Sequence, residues 1–238
     1  VEPVVRGSEL VAALPEAPGV RREAAILDAV RASDFVLDWS PIEVRDERHA
    51  LTIWVSSDVL RLGERCDSVR VAVTCRTHRA IAAELDALLP TPRISDLVWL
   101  HADVRLGVYV QPPRPAMASK TAFLRHHEQL EQELAGRTGL VTAGKDWVIC
   151  RRLAAAPGRA ANYGWHLARG GRPGVTPGAR VVQPVGLAHS IDHVDYSQFC
   201  RLVRRRCELD GAVADLADVL ADTNLASLVS HEGPLPRP

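Results

Sequence analysis

Between Tyr163 and Arg201 the chain concentrates side chains that move protons or hold polar ligands: Tyr163, Trp165, His166, Gln183, His189, His193, Asp195, Tyr196, Ser197 and Arg201. Three of the nine histidines fall in this stretch. A histidine beside a carboxylate is the usual general-base arrangement, because the carboxylate fixes the tautomer and stabilises the imidazolium. His193 and Asp195 stand two apart, a spacing that puts them on one face only where the backbone is extended. On this reading His166, His189, Asp195 and Asp96 are the catalytic candidates. Arg70, Tyr163, Trp165, Gln183, His193, Tyr196, Ser197 and Arg201 are the candidates for holding substrate. The competing account has the same residues hydrogen-bond a turn and anchor a strand.

Two other chemistries fit the same residue types. His189-x-x-x-His193-x-Asp195, joined by His166, has ligands for a metal. A His-x-x-x-His pair needs a helix to align its rings, however, and Ser190-Ile191-Asp192 is poor helix material, so no metal is assigned. Cys150 ends an apolar strand with His166 on the next, and Cys–His pairs activate thiolates. Apolar strand cysteines are mostly small core residues. A hydrolase or acyltransferase using Cys150 or Ser197 is therefore the runner-up, and a non-catalytic binding protein the third reading. There is no Gly-rich phosphate loop, nucleophile elbow or dinucleotide fingerprint, so no cofactor is expected.

The elements that must position these groups read as α+β. Val20 to Ala32 has helical apolar spacing. Ile42 to Arg45 and Leu51 to Val55 read as strands around the charged turn Asp46 to His49. Ser68 to Val73 alternates as a half-buried strand, with Arg70 on the face of Ser68 and Ala72. Thr74 caps a helix running to about Leu89, stopped by Pro90 and Pro92, and a short helix starts at Ser95. Glu84 or Asp96 could serve as a buried acid near Arg70, although ordinary helix-surface carboxylates are far commoner. Gln111 to Pro115 is a stiff connector. Ser119 to Gly136 is a long polar helix carrying Phe123, Leu130 and Leu134 on one side and an exposed His126-His127. Trp147 to Cys150, Ala161 to His166, Arg180 to Gln183 and Ser197 to Glu208 read as four strands, separated by turns such as Gly170 to Gly174. Asp210-Gly211 is a turn, and helices from Val213 and Asn224 close the chain. The expected architecture is one domain over 1–238: N-terminal helices with a small sheet, a mostly antiparallel C-terminal sheet and short terminal helices. The alternative is a division into 1–110 and 119–238 around the connector.

Composition narrows the class of function. The 238 residues suffice for a buried core. Basic and acidic residues both number 29, which weighs against a nucleic-acid or anionic-membrane partner. The expected partner is a small-molecule substrate, with a homodimer left open. Five cysteines without a C-x-x-C pair suggest reduced thiols. There is neither a leader-like N-terminus nor an apolar run near the ~20 residues that span a bilayer, so a cytoplasmic location is expected.

Tyr163-Gly164-Trp165-His166, Gln183-Pro184, His189, His193 to Ser197 and Arg201-Leu202-Val203 together resemble a little-characterised bacterial family. That family carries a Y-G-W-H strand, then Q-P, a lone His, and D-Y-S-H-G-x-R-L-V. The resemblance extends back through Val69 to Val71, Leu89 to Thr91 and Lys145 to Ile149. Gln198-Phe199 stands where the family has His-Gly, which removes a histidine and points to specialised chemistry. The Ala/Arg-rich, Lys-poor composition suggests natural-product biosynthesis in a high-GC actinobacterium. In overall character the chain is similar to the small bacterial Pictet–Spengler enzymes, which join a tryptophan-like amine to an aldehyde. That resemblance implies a carboxylate to shuttle protons (Asp96 or Asp195), an arginine for the substrate carboxylate (Arg70 or Arg201) and aromatic walls (Trp165 with Tyr196).

Overall fold

A computed structural model describes residues 5–112, 115–168 and 179–236. The Gly170 to Gly174 turn and part of the Pro-rich connector lie outside the described residues. Among the described residues the six α-helices are α1 Gly7–Ala13, α2 Val20–Arg31, α3 Cys75–Glu84, α4 Pro92–His101, α5 Lys120–Leu134 and α6 Leu216–Ala221. Three of them start as the sequence dictates, with a hydroxyl accepting from a backbone N–H of the first turn: Thr74 for α3, Thr91 for α4 and Ser119 for α5. Thr91 with Pro92 at the first position starts α4 three residues earlier than expected, which carries Ser95 and Asp96 into its interior.

One sheet has the order β15–β14–β3–β13–β6, with β2 also on β3. Its strands are β2 Trp39–Arg45, β3 Ala50–Ser56, β6 Ala87–Leu88, β13 Val203–Arg204, β14 Arg206–Leu209 and β15 Ala212–Asp215. A second sheet, β11–β10–β9–β12, comprises β9 Lys145–Val148, β10 Arg159–Ala168, β11 Ala179–Ser190 and β12 Gln198–Phe199. Two small sheets, β1 Phe35–Val36 with β4 Arg61–Glu64 and β5 Asp67–Arg70, and β7 Val104–Arg105 with β8 Val141–Thr142, complete the α+β fold.

Several expectations need correction. Ser197 to Glu208 is not one strand: β12, β13 and β14 join two different sheets across it. The helix from Val213 begins as β15 and turns helical only at Leu216. His126 and His127 are buried, at 0% and 9% exposure, because α5 packs its histidine face inward. His126 stacks on Phe199 at 5.5 Å and meets Tyr196 edge-on at 5.2 Å. Asp210 and Gly211, both with positive φ, make the β14–β15 turn as expected. No helix among the described residues is long and apolar enough to cross a membrane.

Candidate functional site

The site is built on β9 and β10. Lys145 pairs with Gly164, and Asp146 with Tyr163. Cross-strand partners share a face, so Asp146 and Tyr163 turn toward α4, and Lys145 and Asn162 turn the other way. Strict alternation would send His166 to the Lys145 side. It does not go there, because Gly164 (φ 132°) and Trp165 (φ 57°) break the period. A left-handed tryptophan is rare and costs about 1–3 kcal/mol. Its effect is to return His166 to the face of Tyr163 and to place the Trp165 indole on the opposite face.

On the α4 face the hub is Asp96. Its Oδ1 accepts from the Tyr163 hydroxyl at 2.7 Å and from His166 Nε2 at 2.7 Å, and its Oδ2 accepts from His231 Nε2 at 2.9 Å. Burial alone would push this carboxyl up, but the bonds from His166, His231 and Tyr163 outweigh it and hold the pKa at about 2. Burial and the same carboxylate push the Tyr163 phenol well up, so it stays protonated. Trp99, one turn beyond Asp96, stacks on His166 with centroids 5.9 Å apart. The His166 side chain is 6% exposed and that of His231 41%, so the hub reaches solvent through His231.

Beside it, Ser95 donates to Asp146 at 2.6 Å, and burial raises the Asp146 carboxyl. A cleft with a volume of ≈ 30 Å³ lies here, lined in part by Ser95, Asp146, Gly164, Trp165, His166 and Arg201. It has room for one or two waters.

On the opposite face Lys145 Nζ donates to Asp195 Oδ2 at 2.8 Å and lies 4.8 Å from the Trp165 ring centroid. Asp195 Oδ1 accepts from the Ser197 amide and hydroxyl. Burial opposes ionisation of Asp195, but Lys145 and Ser197 together hold its pKa low. His189 and His193 stack with centroids 3.9 Å apart and planes 8° from parallel, half-buried, and burial lowers both pKa values. Stacked rings do not converge their nitrogens. Among the described residues no group of three His, Cys, Asp or Glu is placed to hold a metal ion.

The candidates thus do not line one pocket, as expected, but divide between two clusters. Asp96, Tyr163 and His166 form one, and Trp165, Asp195, Ser197 and Tyr196 lie with Lys145. His189 lies in β11, one residue before its end. Gln183 donates to the carbonyl of Pro184, its own neighbour. Both arginines are committed elsewhere. Arg70 is fully buried, paired with Asp58 and Glu131. Arg201 donates to the carbonyls of Ser56 and Val141, although it also borders the cleft. Neither matches the expected holder of a substrate carboxylate. Glu84 pairs with Arg31 at the surface, and Asp96 belongs to its own hub rather than to Arg70.

Cys150 and His166 are also not neighbours. Val148 pairs with Ala161, and the register carries His166 five positions further along β10. Burial and Glu232 push the Cys150 thiol up, away from the thiolate a nucleophile needs. Sequence reasoning missed Lys145, Asp146 and His231. Lys145 and Asp146 stand directly before the apolar run Trp147 to Cys150, which reads as a strand, and that adjacency was their signal. His231 had none.

No protein-family model, no curated protein and no solved structure matches this chain.

Proposed function

We propose that the chain is an acid/base enzyme of natural-product biosynthesis that acts without a cofactor on a small amino-acid-derived substrate, by Pictet–Spengler-type condensation of a tryptophan-like amine with an aldehyde. One observation carries this reading: a single buried carboxylate, Asp96, orients two imidazoles and a phenol, and one imidazole opens to solvent.

The reaction needs protons moved, and no electrons change hands. The amine nitrogen attacks the aldehyde carbon, and the carbinolamine oxygen leaves as water once protonated. The indole carbon closes on the iminium, and its proton is then taken by a base. Imidazole suits both the giving and the taking near neutral pH. Asp96, held ionised, balances the imidazolium that forms and fixes each ring. Tyr163, held protonated, donates rather than accepts. The cleft is far below the several hundred Å³ of a typical ligand site, so only the reacting group approaches His166 while the substrate body lies outside. The five free thiols suit a reducing, cytoplasmic setting.

The test is incubation of the protein with tryptophan or tryptamine and a series of small aldehydes, followed by chiral chromatography of the tetrahydro-β-carboline. We expect one enantiomer, formed above the uncatalysed rate and lost in His166→Ala and Asp96→Asn. Racemic product at the uncatalysed rate with every pair would overturn the reading.

A further inference from the structure

We propose that Lys145 is an amine nucleophile that forms a covalent imine with an aldehyde. The proposal takes its carbonyl class from the proposed function and otherwise stands on the opposite face of the sheet.

Composition is the first argument. Only two of the 29 basic residues are lysines, Lys120 and Lys145. Wherever a positive charge alone is wanted, this chain uses arginine. Lys120 has a structural task, donating from Nζ to the carbonyls of Ala12 and Leu14 at 2.8 and 2.7 Å. Lys145 has no comparable one. Its side chain is 7% exposed on a central strand, and among the described residues its Nζ donates only to Asp195. A buried ion pair is a poor source of stability, because desolvation offsets the attraction. What lysine has and arginine lacks is a primary amine that can lose a proton and attack carbon.

The surroundings supply the rest. Asp195 Oδ2, 2.8 Å away, is placed to take the proton from Nζ, and Ser197 steadies the other oxygen. The Trp165 indole, held by its left-handed backbone, forms a flat wall over the amine. The Nδ2 of Asn162, the Nε1 of Trp165 and the Nε2 of Gln198 are buried N–H donors without a partner among the described residues. Gln198 is the strand partner of Lys145 across β12 and β9, the Trp165 ring lies over the amine, and Asn162 stands on the Lys145 face of β10 two residues from Gly164, the partner of Lys145. Buried donors left unsatisfied cost free energy, and a carbonyl oxygen or the hydroxyl of a carbinolamine would satisfy them.

The step balances. Lys145 passes one proton to Asp195 and attacks the aldehyde carbon as the free amine. A second proton moves from the nitrogen to the former carbonyl oxygen to give the carbinolamine. Asp195 returns the first to that hydroxyl, which leaves as water and gives the protonated imine beside the Asp195 carboxylate. A substrate amine then attacks the imine carbon and expels Lys145, which regenerates the free side chain.

The experiment is reductive trapping of the intact protein with acetaldehyde and cyanoborohydride, followed by peptide mapping. We expect ethylation of Lys145 at least as fast as of Lys120 despite its burial. Asp195→Asn should slow it at least tenfold and leave Lys120 unaffected. Because that substitution also removes a buried charge from its ion pair, a second measurement uses the native protein: added tryptamine should strip the imine and lower the yield at Lys145 alone. Lys145 left unmodified in the folded protein, or modified at a rate indifferent to tryptamine, would overturn the proposal. Condensation that survives in Lys145→Met removes this inference and leaves the Asp96 reading intact. Trapping at Lys145 in a protein that condenses nothing does the reverse.

Discussion

Asp96→Asn is the most informative single change, because it keeps the shape and removes the acceptor. Asparagine offers one oxygen where Asp96 offers two. It can still accept from Tyr163 or His166, but it then presents an N–H toward the Nε2 of His231 or the other imidazole. The folded-state pKa of about 2, against an ordinary 3.8, corresponds to about 2.5 kcal/mol of stability. The sign is that of a depressed acid: the contribution is complete above pH ~4 and disappears as pH falls through the folded value near 2. Chemical denaturation at a series of pH values should therefore place Asp96→Asn about 2–3 kcal/mol below the native protein, with a constant gap from pH 8 to 5 that narrows below 4. A cost under ~0.5 kcal/mol, or a gap that widens on acidification, would refute the hub as described.

Other outcomes follow from the same structure. Burial holds His126 and His127 at about 4, so the unfolded chain takes up protons first as pH drops below 6.5. Each should cost about 2 kcal/mol at pH 5, and His126→Phe should recover its share in an acid denaturation curve. Arg70→Met should cost about 3–5 kcal/mol in denaturant titration, because Asp58 and Glu131 lose a buried partner, while the kcat/KM of the folded fraction stays unchanged. Cys150→Ser should leave condensation intact, and iodoacetamide should modify Cys150 more slowly than the exposed Cys66, a difference read by mass spectrometry.

The local elements were legible where one physical signal dominated. Thr74 announced its helix by cap chemistry and Asp210-Gly211 its turn by residue type, although the strand β15 stands where a helix from Val213 was expected. The Tyr163 to Arg201 stretch was legible as the place where polar chemistry gathers. Its division was not. Periodicity assumes regular backbone, and nothing in the types Gly164-Trp165 says that the tryptophan takes the left-handed well. The commitment of Arg70 was hidden as well, because Asp58 and Glu131 come from distant segments and only tertiary packing brings them together. The burial of two histidines, His126 and His127, was hidden too, because polarity alone suggests exposure. His126 packs against the Tyr196 and Phe199 rings, which accept a neutral imidazole as readily as a phenyl ring, and the His127 Nδ1 accepts from the Arg70 backbone N–H.

The backbone at Trp165 also decides which face of the sheet each ring occupies. The indole beside Lys145 and the imidazole beside Asp96 hang on consecutive residues, and the allowed region at positive φ is narrow. A substitution that let residue 165 return to ordinary extended backbone would restore strict alternation and send both rings to the face opposite the one each now occupies.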